Sequence, residues 1–240
     1  MRKVLIYGAA TVVILTAVFV VFWQIGNSRT FQFFGELVPR IETTEKVIAL
    51  TFDDGPTPGF TEEILAILAE EDIKATFFLI GGDLEKNPGE GKRIVSAGHE
   101  IGNHSYSHTR MVLSSPSFVR SEIERTDALI AAAGYDKPVH FRPPYGKKLF
   151  TLPFYLSQHN RKTITWDVEP ESFSTIANDT SEITQHVLEN TRPGSIILLH
   201  VLYDPERKSL NAVRPVIEGL KERGYRFVTV SELLSISPTL

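Results

Sequence analysis

Three stretches of this 240-residue chain end in residues able to do acid–base or metal chemistry. The apolar run Val47-Ile48-Ala49-Leu50-Thr51-Phe52 stops at Asp53-Asp54-Gly55-Pro56. Some fifty residues later, His104-Ser105-Tyr106-Ser107-His108 sets two imidazoles at i and i+4. A third run, Ser195-Ile196-Ile197-Leu198-Leu199, leads into His200. Two imidazoles and one carboxylate are a common catalytic ligand set for zinc and similar ions, leaving positions for water and substrate. Asp54, His104 and His108 are candidates for that set, and the two histidines could share one face of a helical turn. Asp53 adjoins Asp54, but neighbouring side chains point in different directions. One can ligate while the other accepts a proton from water. Asp-Gly is also ordinary turn chemistry, so this tetrapeptide gains meaning only beside the histidines.

Two further stretches complete the pattern. Arg142-Pro143-Pro144-Tyr145-Gly146 carries a guanidinium on a proline-stiffened loop, able to hold a carboxylate in a fixed fork, with Asp53 the candidate. His200 could act as a general acid toward a leaving amine. An acid from Trp166-Asp167-Val168-Glu169-Pro170-Glu171 could orient it and raise its pKa. Asp167, Glu169 and Glu171 are all candidates. His99, His140, His159 and His186 have no comparable context and read as structural or exposed.

The elements that must position these groups alternate along the chain. Strands are expected at 47–52, 75–80, 100–102, 139–141, 163–166, 195–199 and 226–228. Helices are expected at 61–71, 89–97, 116–133, 152–159, 180–190, 210–223 and 231–234. Ser115-Pro116 looks like an N-cap followed by proline at the first helical position. The strands are nearly continuous in apolar character, as strands buried on both faces are. About seven alternations predict an α/β fold, a distorted or incomplete parallel β/α barrel. In such folds the active site lies at the carboxyl ends of the strands. Asp53, Asp54, His104, Arg142, Asp167 and His200 all sit just past an expected strand end.

Lys and Arg number 25 against 29 Asp and Glu, a net charge of −4, which gives no argument for nucleic-acid binding. Without cysteine, any metal must use His and carboxylate. The N-terminus is basic at Arg2-Lys3, and Val4 to Ile25 carries no charge. As a helix that run spans roughly 33 Å, the thickness of a bilayer's hydrocarbon. Trp23 sits near its end, where interfacial aromatics are favoured. The expectation is a cytoplasmic basic end and transmembrane signal-anchor over 1–26, a linker over 27–45 and a domain over 46–240 outside a cell membrane. A cleaved signal peptide and a buried soluble helix are the competing readings.

On these motifs the chain resembles the polysaccharide deacetylases of the NodB-homology type, carbohydrate esterase family four, over roughly Lys46 to Leu234. Thr51-Phe52-Asp53-Asp54-Gly55-Pro56, His104-Ser105-Tyr106-Ser107-His108, Arg142-Pro143-Pro144-Tyr145 and Leu198-Leu199-His200 match four of the family's motifs in order. The resemblance implies that Asp53 is the catalytic base and that Asp54, His104 and His108 bind the metal. It implies that Arg142 positions the base, that the Tyr145 backbone N–H stabilises an oxyanion and that His200 is the catalytic acid. The fourth motif departs from the pattern: Ser172-Phe173 stand where an Asp-Trp pair is usual, and Val201 follows His200. Asp167 is taken as the partner of His200, with Glu169 and Glu171 as alternatives.

The expected reaction is metal-dependent hydrolysis of the N-acetyl group of N-acetylglucosamine in peptidoglycan or a chitin-like polymer. Zinc is the expected ion, and cobalt, nickel or manganese suit the same donors. An O-acetyl esterase acting on xylan and an inactive glycan-binding envelope domain are the alternatives. The expected partners are an acetylated glycan and the membrane, with no nucleic acid, and the chain is expected to be a monomer.

Overall fold

The structure, a computed structural model, describes residues 2–236. Met1, the side chains of residues 2–5, 8 and 9, and residues 237–240 lie outside the described residues. In chain order the strands are β1 (Leu37–Val38), β2 (Val47–Asp53), β3 (Thr76–Leu79), β4 (Glu100–Asn103), β5 (Thr163–Ile164), β6 (Ile196–Leu199) and β7 (Arg226–Val228). The helices are α1 (Arg2–Asn27), α2 (Phe60–Glu70), α3 (Gly81–Lys86), α4 (Pro88–Ser96), α5 (Pro116–Ala132), α6 (Thr151–Gln158), α7 (Thr180–Asn190), α8 (Lys208–Glu222) and α9 (Val230–Leu234).

The ladders between these strands are parallel, as expected for an α/β fold with helical crossovers. β2 is the organising strand and is buried along its whole length. It pairs with β6 at residues 49–52, with β3 at 51–53 and with β7 at 47–49. The overlapping registers put β6 on one edge and divide the other between β3 and β7. Bridges at Phe141 link β4 to β5, and a bridge from Val168 reaches Ile197 of β6. The ladders and bridges lead from β2 through β3, β4 and Phe141 to β5, the chain itself runs on from β5 to Val168, and Val168 bridges to β6, which pairs back with β2.

Side chains alternate across a strand, and β2 uses both faces. Ile48, Leu50 and Phe52 pack into the layer shared with the helices. Val47 and Ala49 face a second apolar cluster with Phe78, Ile164, Trp166, Ile196 and Leu198. Thr51 and Asp53 continue that second face, so the two-residue period turns Asp53 toward the interior of the ring.

Helix ends follow local chemistry. Ser115 accepts from the Phe118 N–H at 3.3 Å, with Pro116 in the first turn of α5. Asp179 caps α7 through the Ser181 and Glu182 N–H groups, and Thr229 with Glu232 forms a reciprocal box at α9.

Three expectations need correction. Residues 139–141 do not form a strand, because only Phe141 makes bridges. Part of the expected linker belongs to the sheet: β1 pairs with β5, and the Ile41 N–H donates to the Gly194 carbonyl at 2.9 Å. A two-residue strand is too short to leave an alternating pattern in sequence. Helix α3 was not expected; its six residues open on two glycines and carry no period.

α1 is a 26-residue helix. Its segment Ala10–Asn27, of mean hydropathy 1.8 and 6 % buried, is long and apolar enough to cross a membrane.

Candidate active site

Asp53 closes β2 and is 1 % exposed. Its partner is Arg142, which follows the Phe141 bridge and is fully buried. Arg142 Nη1 donates to Asp53 Oδ1 at 2.6 Å and to Thr51 Oγ1 at 2.8 Å, and Nη2 donates to the Thr165 carbonyl at 3.2 Å. The guanidinium lies 4.0 Å from the centre of the Phe78 ring. Phe78 can lie there because position 102 is glycine: a Cβ would stand 2.3 Å from the ring. Burial pushes the Asp53 carboxyl up. The charge of Arg142, then those of His104 and His200, outweigh burial and hold it below its usual range.

The second cluster is built on strained backbone. Asp54, Ser105, His108 and Tyr145 all adopt the left-handed region, at φ 74°, 66°, 56° and 58°. Each such residue costs about 1–3 kcal/mol, and compensating bonds hold the loop. Ser105 N–H donates to Asn103 Oδ1 at 2.8 Å, and His108 N–H to Ser105 Oγ at 3.1 Å. The buried Glu122 of α5 accepts from the Tyr106 and Ser107 N–H groups. His104 and His108 therefore meet across a turn, not along a helical face as expected.

This turn brings three donors to one point. Asp54 Oδ1 lies 3.3 Å from His108 Nε2 and 3.8 Å from His104 Nε2. A tetrahedral site with bonds of about 2.0–2.1 Å would place its ligands roughly 3.3 Å apart. His104 Nδ1 is 2.8 Å from the Arg142 carbonyl, which can only accept. The proton is thereby fixed on Nδ1, leaving the Nε2 lone pair facing Asp54. Burial, the largest influence, lowers the His108 pKa, favouring the neutral ligand form. Asp54 Oδ1 is buried without a hydrogen-bond partner. An orphaned carboxylate oxygen facing two imidazoles fits a divalent cation.

His200 follows β6 and is held by Glu171. Glu171 Oε2 lies 2.8 Å from His200 Nδ1, and Oε1 accepts the His200 backbone N–H at 2.8 Å. Ser209 Oγ also donates to Oε1. The expected partner, Asp167, is elsewhere. It accepts from Ser195 Oγ and the Ile196 N–H, both at 2.9 Å, at the opposite end of β6. Glu169 is also engaged elsewhere, accepting from Trp166 Nε1 at 2.9 Å and pairing with Arg29 at 2.9 Å.

Asp53, Asp54, His104, His108 and His200 open on one cavity of about 550 Å³, with Arg142 and Glu171 bonded to Asp53 and His200 from outside its lining. Tyr145 lines it, with its half-exposed ring 4.6 Å from the His108 ring. Arg29, Arg110 and Lys147 line it too, and sequence reasoning missed all three. Arg29 belongs to the segment expected as a linker. Lys147 follows the Arg142–Gly146 motif directly, and that adjacency was the available signal.

A ring of parallel strands with carboxylates, imidazoles and a buried guanidinium at its carboxyl ends carries the residue types of a hydrolytic site. The chain belongs to the polysaccharide deacetylase family, whose sequence pattern matches residues 40–164. A peptidoglycan-N-acetylglucosamine deacetylase of Bacillus cereus is 39% identical over 192 residues, covering 79% of this chain and 69% of that protein. The solved structure of the peptidoglycan N-acetylglucosamine deacetylase Bc1960 aligns with a TM-score of 0.74 at 35% identity, covering 84% of this chain and 94% of that one. BA3943 of Bacillus anthracis, described as a pseudoenzyme, aligns with a TM-score of 0.73 at 31% identity, covering 83% and 70%.

Proposed function

We propose that this protein removes N-acetyl groups from N-acetylglucosamine residues of peptidoglycan, outside the membrane in which α1 is anchored. The observation that carries this reading is the convergence of Asp53, Asp54, His104, His108 and His200 on one cavity, with Asp53 held by Arg142 and His200 by Glu171. Asp54, His104 and His108 would hold a divalent ion, which when bound would supply Lewis-acid chemistry toward the acetamide carbonyl and the attacking water. Zinc suits these donors, as do cobalt, nickel and manganese.

The chain's own residues do the rest. Asp53, kept ionised by Arg142, takes a proton from the attacking water. The oxygen of that water bonds to the carbonyl carbon. The Tyr145 backbone N–H donates to the carbonyl oxygen as it gains charge. His200, protonated beside Glu171, gives its proton to the nitrogen as the C–N bond breaks. Acetate and an amino sugar leave.

Two observations favour an anionic envelope glycan over neutral chitin. The cavity is rimmed by Arg29, Arg110 and Lys147, and peptidoglycan carries carboxylates near its acetamides. The apolar α1 helix favours a substrate beside the membrane.

Acetate release from peptidoglycan by the full chain tests this, with and without chelator and in the Asp53→Asn variant. The expected result is release that chelator and variant both abolish. Release from acetylated xylan alone would make the protein an O-acetyl esterase. Metal binding without release from any acetylated glycan would make it an inactive glycan-binding domain.

A further inference from the structure

The end of α1 is built into the domain. Lys148 N–H donates to the Gly26 carbonyl at 3.2 Å. Gly26 is buried, and a Cβ there would lie 3.3 Å from the Lys148 carbonyl oxygen. Lys147 Nζ bonds to Asn27 Oδ1, and the buried Lys148 Nζ bonds to the Ser28 carbonyl. At the next residue, the Arg29 carbonyl accepts from Thr165 Oγ1 at 2.7 Å. The helix therefore leaves the domain at a fixed place, beside the loop that carries Arg142 and Tyr145.

Phenylalanines surround that exit. Phe22, in α1, lies 5.4 Å from the Phe150 ring and 6.3 Å from the Phe33 ring. Phe33 and Phe150 stack at 4.8 Å, and Phe34 meets Phe154 edge-on at 5.4 Å. Phe31, Phe33, Phe34, Phe150 and Phe154 are between 37 % and 51 % exposed. Soluble surfaces rarely gather apolar side chains in this way. Phe22 precedes the helix end by five residues, about 7–8 Å at 1.5 Å per residue. Rings of the folded domain thus share the depth of a residue inside the apolar span. Trp23, 61 % exposed, stands at the same level.

We propose that the domain lies directly on the outer face of the lipid bilayer, with this phenylalanine patch seated in the headgroup and upper acyl region. This rests on α1 spanning the membrane and adds where the active site stands. The occupant is lipid because the patch continues the surface of the span itself. The cavity lined by Arg29 and Lys147 then opens at the bilayer surface. Its substrate is glycan lying against the membrane, not the outer layers of the wall.

The chain has no cysteine, so single labels are clean. Leu113 is 87 % exposed, and its neighbour Val112 faces Gly26. Lys137 is exposed, follows α5 and precedes the Phe141 bridge, on the amino-terminal side of the strand layer whose carboxyl ends carry the site. Full-length Leu113→Cys, Lys137→Cys and Leu15→Cys proteins carry a fluorophore in vesicles of phosphatidylethanolamine and phosphatidylglycerol, with quenchers placed on the acyl chains.

Quenching of about twofold at 113 and 15 but not at 137 is the expected result, since an interfacial surface sinks roughly 5–10 Å into the boundary. Replacing Phe31, Phe34 and Phe154 together by Ser should remove the quenching at 113 and keep it at 15. Quenching at 15 with none at 113 would overturn the docking while the anchor stands. No quenching at 15 would overturn both. A label at 113 shielded from lipid quencher and from aqueous iodide alike would mean that a second copy covers the patch, which also overturns the proposal.

Discussion

Glu171 grips His200 twice, through the backbone N–H and through ring Nδ1, both at 2.8 Å. Burial pulls the His200 pKa down. The Glu171 hydrogen bond and charge, followed by the charges of Asp53 and Asp54, more than reverse this and raise it to about 10. In the proposed reaction this keeps His200 protonated near neutral pH, as its role of general acid requires.

Glu171→Gln should lower that pKa. The alkaline limb of the kcat/KM–pH profile then moves to lower pH, because His200 loses its proton sooner as pH rises. At pH 8 the rate should fall about 10–100-fold, part of the 10²–10⁴ that a positioned acid contributes. Asp167→Asn, touching only Ser195, Ile196 and Arg192, should leave the profile in place and lower Tm by a few degrees. The reverse ranking of the two variants would assign the role back to Asp167.

That pair also shows where sequence stops being readable. Asp53 and His200 were legible because each ends an apolar strand, and His104 because it is spaced four residues from His108 just past an expected strand; a parallel sheet collects such ends on one rim. Asp167, Glu169 and Glu171 lie within five residues, and spacing alone could not orient them. Asp167 lies just past β5 and reaches across to the start of β6. The tight turn at Pro170–Ser172 carries Glu171 on toward His200 at the other end of β6. Position 141 read as strand from its apolar neighbours, but only one residue there pairs. Arg29 was invisible because its place depends on how the end of α1 docks.

The Asp54–His104–His108 cluster should bind a divalent ion without substrate. At one hundred times Kd, binding to the folded state adds about 2.7 kcal/mol. For a chain of this size that is roughly 5–10 °C in Tm. Zinc should produce the shift in the full-length protein, and chelator should reverse it. His108→Ala should abolish the shift, while His159→Ala, at an exposed position, should retain it. An equal shift in both variants would move the ion elsewhere.

Arg142 and Asp53 should be strongly coupled in stability. Arg142→Met leaves a buried carboxylate without its cation, which costs about 3–5 kcal/mol. Adding Asp53→Asn removes the stranded charge and should recover more than about 1 kcal/mol, although neither variant is active. Urea unfolding of the two singles and the double measures this. Simple additivity would mean that the pair holds geometry without energetic coupling.

His99 should set part of the acid limit of the fold. It is 4 % exposed and accepts the Ala75 N–H at Nδ1, 3.2 Å away, so it must be neutral. Burial, then the charge of Lys74, lowers its pKa to about 4 from 6.5. The unfolded chain binds the proton first, so stability from this group is full above pH 6.5 and is lost as pH falls toward 4. The loss amounts to about 3 kcal/mol. His99→Gln keeps an acceptor and does not titrate. The decline in unfolding free energy between pH 7 and pH 4 should shrink by about that amount, and an unchanged decline would exclude His99 as its source.

The cationic rim should choose the substrate. Arg110 lies over the Tyr145 ring at 4.6 Å, and Lys147 bonds to Asn27. Among the described residues neither has a carboxylate within ion-pair distance. Burial, then the charges of Arg110 and Arg29, lowers the Lys147 pKa, a sign of crowded positive charge that an anion would relieve. A charged hydrogen bond contributes about 1.5–3 kcal/mol. Arg110→Gln and Lys147→Gln should therefore each reduce the ratio of kcat/KM on carboxylate-bearing peptidoglycan fragments to that on neutral chitooligosaccharides, by about tenfold or more. The change should appear mainly in KM, and raising the salt toward 1 M should compress the same ratio in the unaltered protein. Equal losses on both substrates would show that the rim shapes the cavity without reading charge.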